Sequence, residues 1–195
     1  AYTLNGIDQC TGALINNSRA DCTPYFLTAD HCRINSSNDQ TVTVYWNFEN
    51  SYCREPSSNE SGGIGDGLRN QFNSGAIFRA GFEGSDVTLL ELDDIVNPEF
   101  NPFFAGWNRS TNTPEMGICI HHPGVEEKRI SFELDPISFD SSSLDIRFLI
   151  VNDWDIGSTE VGSSGSPLFN QDKQIIGQLQ GGFAACDNDR LDEYG

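Results

Sequence analysis

The feature of this sequence that most constrains its fold is a series of short apolar runs with almost no helical periodicity. The runs are separated by clusters of Asn, Ser, Gly, Asp and Pro, which are the residues that form turns. A series of short strands with turn signals between them predicts an all-β sandwich or barrel. The candidate strands are ALIN, YFLTA, TVTVYWNF, GAIFRAGF, DVTLLEL, FFAGW, GICIHH, KRISFEL, DIRFLIV, SPLF and IIGQLQGG.

A proline-containing segment near the middle divides the sequence into two β units. Residues 97–115 contain three prolines and little alternation of apolar and polar residues, as in a connection between domains. We therefore predict a first β-barrel over 1–100, a connection over 101–115 and a second barrel over 116–195. No internal repeat is visible in the sequence.

The charge of the chain limits its partners. Eleven Lys and Arg residues stand against 29 Asp and Glu residues, which gives a net charge of −18. Such a surface repels nucleic acid and anionic membranes and attracts cationic substrates. Hydrophobic residues make up 37% of the sequence and no apolar run reaches membrane-spanning length, so we expect no membrane association.

The cysteines point to an oxidising compartment. There are six, widely spaced, and none forms a Cys-x-x-Cys pair, which argues against a zinc ribbon or a redox motif. An even number at wide spacing is typical of structural disulfides in an extracellular protein. No signal peptide is present, so the sequence reads as a mature or trimmed product.

Two polar residues in the first unit are candidates for catalysis. The run YFLTADHC delivers His31 to the end of a strand, and Asp86 opens the apolar strand DVTLLEL. A carboxylate that is partly buried at a strand start needs a partner, and an imidazole N–H is a suitable one. Taken singly, His31 could be a solvated loop histidine and Asp86 an exposed acid.

The segment GSSGSP, residues 162–167, adds a candidate nucleophile. Gly162 and Gly165 free the backbone, so the N–H groups of Gly162 and Ser164 can point to one place, as acyl transfer requires for the developing oxyanion. Alone, the segment could be a small-residue hairpin without chemistry. The order His31, Asp86, Ser164 on an all-β background is typical of double-barrel serine proteases.

Longer stretches of the sequence resemble the chymotrypsin-fold serine endopeptidases, and within them the secreted bacterial lysyl endopeptidases. The resemblance implies two six-stranded antiparallel barrels. It implies that His31 is the general base, Asp86 its orienting acid and Ser164 the nucleophile, with Gly162 and Ser164 as oxyanion donors. The resembling stretches are CTGALINN, PYFLTADHC, VYWNFENSYCREP, DVTLLELDDIVNPEFNPFFAGWNRS, IHHPGVEEKRISF, EVGSSGSPLF, GQLQGG and DEYG.

The resemblance also suggests how substrates are selected. Trypsin-like relatives carry the acid at the pocket base six residues before the nucleophile, where this sequence has Ser158. In lysyl endopeptidases the acid comes from a later strand that aligns with DEYG, which implies that Asp192 receives a substrate lysine. The alternative is that Asp192 is a surface acid in an acidic tail.

The sequence departs from the family in one part of this pocket. The lysyl endopeptidases carry GQLHGG, with the histidine stacked on a tryptophan, whereas this chain has Gln180 and no tryptophan in 138–143. The departure makes cleavage after arginine the obvious alternative to strict lysine preference. Gly181 and Gly182 are expected at the pocket mouth, where a substrate backbone can pair as an added strand.

The resemblance to the lysyl endopeptidases also implies how the cysteines pair and that the family sequence extends beyond both ends of this chain. Cys10 and Cys32 would pair beside His31, and we expect Cys22 and Cys119 as a candidate second pair. The family continues at both ends, so the chain reads as truncated, with an incomplete second barrel. In the family, the equivalents of two further cysteines pair with an N-terminal extension: Cys53 and Cys186.

These observations predict a secreted, monomeric serine endopeptidase that hydrolyses polypeptides after lysine through an acyl-enzyme on Ser164. No cofactor and no metal is expected, and His121 and His122 are interpreted as structural residues. Three alternatives remain. These are a trypsin-like protease cleaving after Lys and Arg, a non-catalytic binding module that retains a protease fold, and an esterase without activity on lysyl amides.

Overall fold

The computed structural model describes residues 1–56, 58–61, 63–140 and 147–195. Its regular elements in those ranges are β-strands and three-residue 3-10 turns, so the all-β prediction is confirmed. No helix in the described ranges is long and apolar enough to cross a membrane. The strands, β1 to β15 in chain order, are Tyr2–Leu4, Ile7–Cys10, Ala13–Ile15, Tyr25–Ala29, Thr43–Tyr45, Phe72–Ser74, Ala76–Phe82, Val87–Leu92, Gly117–His121, Arg129–Glu133, Ser138–Phe139, Leu149–Val151, Pro167–Phe169, Ile175–Gly182 and Asp192–Tyr194. The 3-10 turns are Asp30–Cys32, Asp39–Thr41, Glu83–Ser85, Pro98–Phe100 and Pro123–Val125.

The first half of the chain forms two four-stranded antiparallel sheets around one core. Their strand orders are β2-β1-β5-β6 and β3-β4-β8-β7. In β8 the alternating residues Thr88, Leu90 and Leu92 are buried while their neighbours are half-buried, as expected for a strand with one face on the core. Residues of both sheets share the core: Tyr2, Leu4, Cys10, Leu14, Phe26, Ala29, Cys32, Ile34, Val42, Val44, Ala76, Leu90, Leu92 and Val96.

The second half forms one seven-stranded sheet in the order β10-β9-β13-β14-β15-β12-β11. The paired strands thus form sheets of four, four and seven, and this hydrogen bonding alone does not establish two complete six-stranded barrels. A separate core lies within the second half: Cys119, Ile137, Leu149, Val151, Trp154, Leu168, Leu179 and Tyr194.

The connection between the halves is hydrogen bonded to both of them. The predicted strand FFAGW does not form, and isolated parallel bridges join Ala105 to Ile15 and Trp107 to Ile175 instead. The Trp107 indole N–H also donates to the carbonyl of Asn16 at 2.9 Å. Because Ile15 belongs to β3 and Ile175 to β14, the segment contacts both halves of the chain through isolated bridges.

The cysteines form one of the two expected disulfides in the described ranges. Cys10 and Cys32 are bonded, as the resemblance implied. The expected pairing of Cys22 with Cys119 is wrong, because Cys22 is exposed before β4 whereas Cys119 is fully buried in the core of the second half. The Cys119 thiol lies 3.2 Å from the hydroxyl of Ser166.

Candidate active site

His31 and Asp86 are in direct contact at the edge of the first half. Strand β4 ends at Ala29, and the 3-10 turn that follows carries His31. One carboxylate oxygen of Asp86 lies 2.7 Å from His31 Nδ1, and the other accepts the His31 backbone N–H at 2.8 Å. Because a carboxylate accepts, the proton of the neutral ring lies on Nδ1, which leaves Nε2 as the basic nitrogen.

Asp86 is held from several sides, so the alternative of an exposed acid at this position is wrong. It is 4% exposed and lies in the left-handed region with φ of 52°, between a 3-10 turn and β8. Its backbone carbonyl accepts from the Asp30 amide at 2.9 Å and from the Gln178 side chain at 2.9 Å. Because Gln178 belongs to β14, the second half of the chain fixes the acid of the first.

The loop containing Ser164 is hydrogen bonded to the segment that holds His31. The Ser164 carbonyl accepts from the backbone N–H of Thr11 at 2.9 Å. Thr11 follows Cys10, which is disulfide bonded to Cys32, the neighbour of His31. One hydrogen bond and one covalent bridge therefore connect the candidate nucleophile to the candidate base.

Gly165 allows this close approach of the two halves. Its φ is +78°, and a Cβ there would lie 2.3 Å from the Thr28 hydroxyl oxygen and 2.8 Å from the Ala29 nitrogen, so a larger residue does not fit. The Ser164 side chain itself forms no hydrogen bond to His31 among the described residues. Catalytic hydrogen bonds in unliganded proteases are often long and shorten when substrate binds.

Two backbone amides beside Ser164 are fixed in orientation and have no acceptor in the described ranges. The peptide that carries the Gly162 N–H is held through its carbonyl, which accepts from the Gly124 amide at 2.6 Å. The peptide that carries the Ser164 N–H is held in the same way by the Ser166 amide at 2.9 Å. Since the N–H and C=O of a peptide point in opposite directions, both carbonyl contacts set where the amides point. Gly162 has φ of +95°, which favours glycine.

Asp192 is a buried carboxylate in the second half. It is 1% exposed on β15, and its Oδ2 accepts from the Trp154 indole N–H at 2.8 Å and the Thr159 hydroxyl at 2.6 Å. No salt bridge to Asp192 occurs in the part of the chain that the structure describes. Burial raises the pKa of this carboxyl, and the hydrogen bonds from Thr159 and Trp154 oppose that effect. The alternative that Asp192 is a surface acid is therefore wrong.

Gly182 lies beside this carboxylate, and Ser158 precedes Thr159, which donates to it. Gly182 pairs with Asp192 across β14 and β15, and a Cβ on Gly182 would lie 2.4 Å from Asp192 Oδ1. The Ser158 hydroxyl lies 2.7 Å from the carbonyl of Asn188 and 3.0 Å from that of Ala185. Ser158 thus hydrogen bonds to the segment that follows β14, and its hydroxyl does not contact the Asp192 carboxylate.

The other two predicted pocket residues lie at an irregularity in β14. The register of β14 with β15 shifts between Leu179 and Gly181. The side-chain oxygen of Gln180 is buried without a hydrogen-bond partner among the described residues. The space that a Cβ on Gly181 would occupy is open, with nothing within 4 Å. The segment 138–143, where the resemblance places the family tryptophan, lies within the described residues only over 138–140.

Three residues that organise this site have no recognisable signal in the sequence. Trp154 and Thr159 hold the Asp192 carboxylate, and Thr11 holds the carbonyl groups of Ser164 and Gly162. Trp154 resembles any other core aromatic, and it is 2% exposed. No spacing rule identifies these residues, because each acts on a partner more than 30 residues away in the sequence.

One cluster of potential metal ligands occurs in the described ranges: Cys10, His31 and Cys32. The two sulfur atoms are joined in a disulfide and offer no thiolate. The cluster therefore belongs to the candidate base and its neighbouring bridge.

Comparison with known proteins decides the family. All residues, 1–195, match the family described as "Lysyl endopeptidase, C-terminal domain". This chain belongs to that family. A curated relative, the lysyl endopeptidase of Pseudomonas aeruginosa, is 28% identical over 187 residues, which cover 91% of this chain and 38% of the relative. This chain thus spans well under half of that relative's length.

Several solved protease structures share the fold. The inactive form of Rv3671c from M. tuberculosis H37Rv has a TM-score of 0.59 at 16% identity, covering 99% of this chain and 78% of that one. The HtrA-type protease AlgWS227A with a tripeptide has a TM-score of 0.62 at 14% identity, covering 99% of this chain and 54% of that one. A Glu endopeptidase has a TM-score of 0.60 at 16% identity, covering 99% of this chain and 81% of that one. This chain thus has the chymotrypsin-like protease fold.

Proposed function

We propose that this protein is a secreted serine endopeptidase that hydrolyses peptide bonds after lysine through an acyl-enzyme on Ser164. The observation that carries the proposal is the doubly hydrogen-bonded contact of His31 with Asp86, beside a serine loop with two oriented free amides. The disulfide between Cys10 and Cys32 supports an oxidising, extracellular location.

In the proposed mechanism, Ser164 Oγ attacks the carbonyl carbon of the substrate while its proton moves to His31 Nε2. Asp86 stabilises the resulting imidazolium, and the amides of Gly162 and Ser164 bind the oxyanion. The tetrahedral intermediate collapses when the C–N bond breaks and His31 donates its proton to the leaving amine. Water then attacks the acyl-enzyme with His31 again as base, which releases the acid product and regenerates Ser164.

Asp192 supports the preference for lysine. Burial without a cation in the described ranges leaves its carboxylate stabilised only by neutral donors. An ammonium group that reached it would form the charged pair that such a site lacks. The relative named a lysyl endopeptidase supports the same assignment. The open space beside Gly181 and the missing contact at Gln180 favour cleavage after arginine as the second candidate.

Two six-stranded barrels are part of this proposal. Strand β2 leads into β3 and β6 into β7 through one or two residues, so each pair can serve as one bent strand that closes the first barrel. In the second half, β10 and β11 can play the same part. We propose boundaries at 1–100 and 116–195 and a monomeric state, because substrate binding needs no second copy in this mechanism.

The proposal is tested by initial cleavage rates on peptide amides that differ only in the residue before the scissile bond. We expect lysine amides to be cleaved fastest by wild type and not above background by Ser164→Ala. A phosphonofluoridate should label Ser164 in wild type. Activity retained in Ser164→Ala would refute the nucleophile, and absence of both labelling and cleavage would favour a non-catalytic module. Ester cleavage without amide cleavage would favour an esterase.

A further inference from the structure

His121 is a buried histidine that the proposed mechanism does not use. It is 1% exposed at the end of β9, and its imidazole lies between two hydroxyl groups. Nδ1 lies 2.8 Å from Ser163 Oγ, and Nε2 lies 3.1 Å from Ser131 Oγ. Ser163 is the neighbour of the proposed nucleophile, so the ring touches the residue that precedes it.

The direction of each hydrogen bond around His121 follows from proton counting. The Ser131 hydroxyl donates to the Ser158 carbonyl at 3.0 Å, so it has no proton left for His121 and must accept from Nε2–H. Nδ1 is then the acceptor, and Ser163 donates to it. Ser163 Oγ in turn accepts the Glu160 backbone N–H at 3.2 Å. We call these five residues the His121 network.

The two ends of the His121 network lie at the two functional parts of the site. Ser163 contributes the peptide whose N–H belongs to Ser164, and the carbonyl of Ser163 is held by the Ser166 amide. Ser158 lies on the segment that is tied to Ala185 and Asn188 beside Asp192. The network therefore joins the nucleophile loop to the proposed pocket from the buried side.

The network needs a neutral ring. A protonated ring would donate from both nitrogens, and Ser163 Oγ would then receive two donors while its own proton lost its acceptor. Burial lowers the pKa of His121 to about 4, and the positive charge of Arg129, its register partner on β10, acts in the same direction. Neighbouring His122 donates from the opposite nitrogen, because its Nδ1 lies 2.7 Å from the Glu126 carbonyl.

We propose that His121 is a positioning residue of this peptidase: as the neutral Nε2–H tautomer it fixes the Ser163–Ser164 peptide through one nitrogen and the Ser158 wall of the pocket through the other. The inference rests on the proposed function. We call the hydrogen bond from Ser163 to Nδ1 the Ser163 arm and the hydrogen bond from Nε2 to Ser131 the Ser131 arm, and the inference assigns them separable effects. The Ser163 arm governs the reactivity of Ser164, and the Ser131 arm governs binding of the lysine side chain.

The first test does not depend on activity. Nitrogen-15 NMR of the imidazoles at pH 7 distinguishes the two neutral tautomers and the cation. We expect His121 as Nε2–H and His122 as Nδ1–H, so the adjacent histidines control for each other. A charged His121, or His121 as Nδ1–H, would overturn the inference whether or not the protein is a peptidase.

The second test separates the arms. We expect Ser163→Ala to lower kcat for lysyl amides and the rate of phosphonofluoridate labelling about tenfold, with KM nearly unchanged. We expect Ser131→Ala to raise KM for lysyl amides severalfold and to leave the labelling rate near wild type. Thermal unfolding of each variant shows whether a loss reflects the folded population.

A third set of variants tests whether the effects pass through the imidazole. In His121→Asn the amide oxygen can still accept from Ser163, and in His121→Gln the amide N–H can still donate to Ser131. We therefore expect the asparagine variant mainly to raise KM and the glutamine variant mainly to lower kcat. The double variant Ser163→Ala with His121→Gln should lose no more kcat than either single variant.

Two failures are distinguishable. If wild type neither cleaves nor reacts with phosphonofluoridate, the proposed function fails and the positioning role falls with it. If wild type is active and folded Ser163→Ala and His121 variants match it in kcat, KM and labelling rate, the positioning role alone is refuted.

Discussion

The substitution Asp192→Asn tests the proposed pocket most directly, because asparagine keeps the shape of the side chain and removes its charge. Oδ2 accepts two side-chain hydrogen bonds, from the Trp154 indole N–H at 2.8 Å and the Thr159 hydroxyl at 2.6 Å. An amide oxygen in that place can accept the same two donors. The packing of the pocket should therefore survive, and the loss should be electrostatic.

The magnitude follows from the burial of the carboxylate. Asp192 is 1% exposed, so a lysine ammonium that reached it would also be desolvated. Removing one partner of a buried ion pair costs about 3 kcal/mol or more, which corresponds to a fall of roughly 10²-fold or more in kcat/KM for lysyl amides. Neutral substrates never formed the pair, so their kcat/KM should change little. The ratio of lysyl to neutral substrate is the quantity to measure.

The same substitution, Asp192→Asn, should increase the stability of the folded protein while it lowers kcat/KM. A carboxyl whose pKa is raised on folding binds a proton more readily in the folded state, so its stabilising contribution is present at low pH and is lost as pH rises above the unfolded value of 3.8. At pH 7 the charged form is therefore a burden on the fold, and Asp192→Asn should raise the free energy of unfolding. Urea denaturation at pH 7 measures this change.

A matched control uses another buried acid. Asp39 is 7% exposed in the first half, where its carboxylate accepts from the Phe78 and Gln40 backbone amides. Asp39→Asn removes a buried charge without touching the proposed pocket and should leave the lysine ratio at the wild-type value. Equal lysine preference in wild type and folded Asp192→Asn would refute the assignment of Asp192.

Further substitutions test the oxyanion loop, the disulfide and His121. Gly162→Ala places a Cβ 2.6 Å from the Val125 nitrogen at a φ of +95°, so we expect kcat to fall about 10²-fold, and a wild-type kcat would contradict the role of this amide. Replacing Cys10 and Cys32 together by serine opens a bridge with a sequence separation of 22, and urea denaturation should record a loss of about 3 kcal/mol. His121 has an ordinary pKa of 6.5 that folding lowers to about 4, so the unfolded chain binds more protons between these values. The lowered pKa has no effect on the free energy of unfolding above pH 6.5, and it reduces that free energy by about 3 kcal/mol as pH falls to 4. Between these values the free energy of unfolding should therefore fall more steeply with decreasing pH for wild type than for His121→Gln.

Local patterns predicted the strands that are rich in apolar residues and missed strands that are poor in them. The run VTLLEL alternates and became β8, with Thr88, Leu90 and Leu92 buried. The strands Ile7–Cys10 and Phe72–Ser74 were not predicted, because their sequences IDQC and FNS contain too few apolar residues to show a period of two. Both are edge strands of one sheet, and each forms because a single partner, β1 for β2 and β5 for β6, supplies the hydrogen bonds that local propensity does not.

The catalytic candidates could be found from the sequence because each has a local signature. His31 ends an apolar run, Asp86 opens one, and Ser164 lies between glycines. Their contacts could not be found locally. The Thr11 amide that holds the Ser164 carbonyl, and the Gln178 side chain that holds the Asp86 carbonyl, come from segments far away in the sequence. Such partners follow only from the path of the whole chain.

Asp192 illustrates why specificity is harder to predict than chemistry. Its segment DEY contains two acids and shows no apolar face, yet it forms β15 between β12 and β14 and buries the carboxylate. The strand is stable there because Gly182 leaves room for the carboxylate, and Trp154 and Thr159 donate to it. A buried charge that neutral donors only partly stabilise is a cost to the fold, and a cationic side chain offsets that cost when it binds. In the proposed function, the preference for lysine rests on this destabilised carboxylate, whose surroundings come from three separate segments of the chain: the loop with Trp154 and Thr159, strand β14 and strand β15.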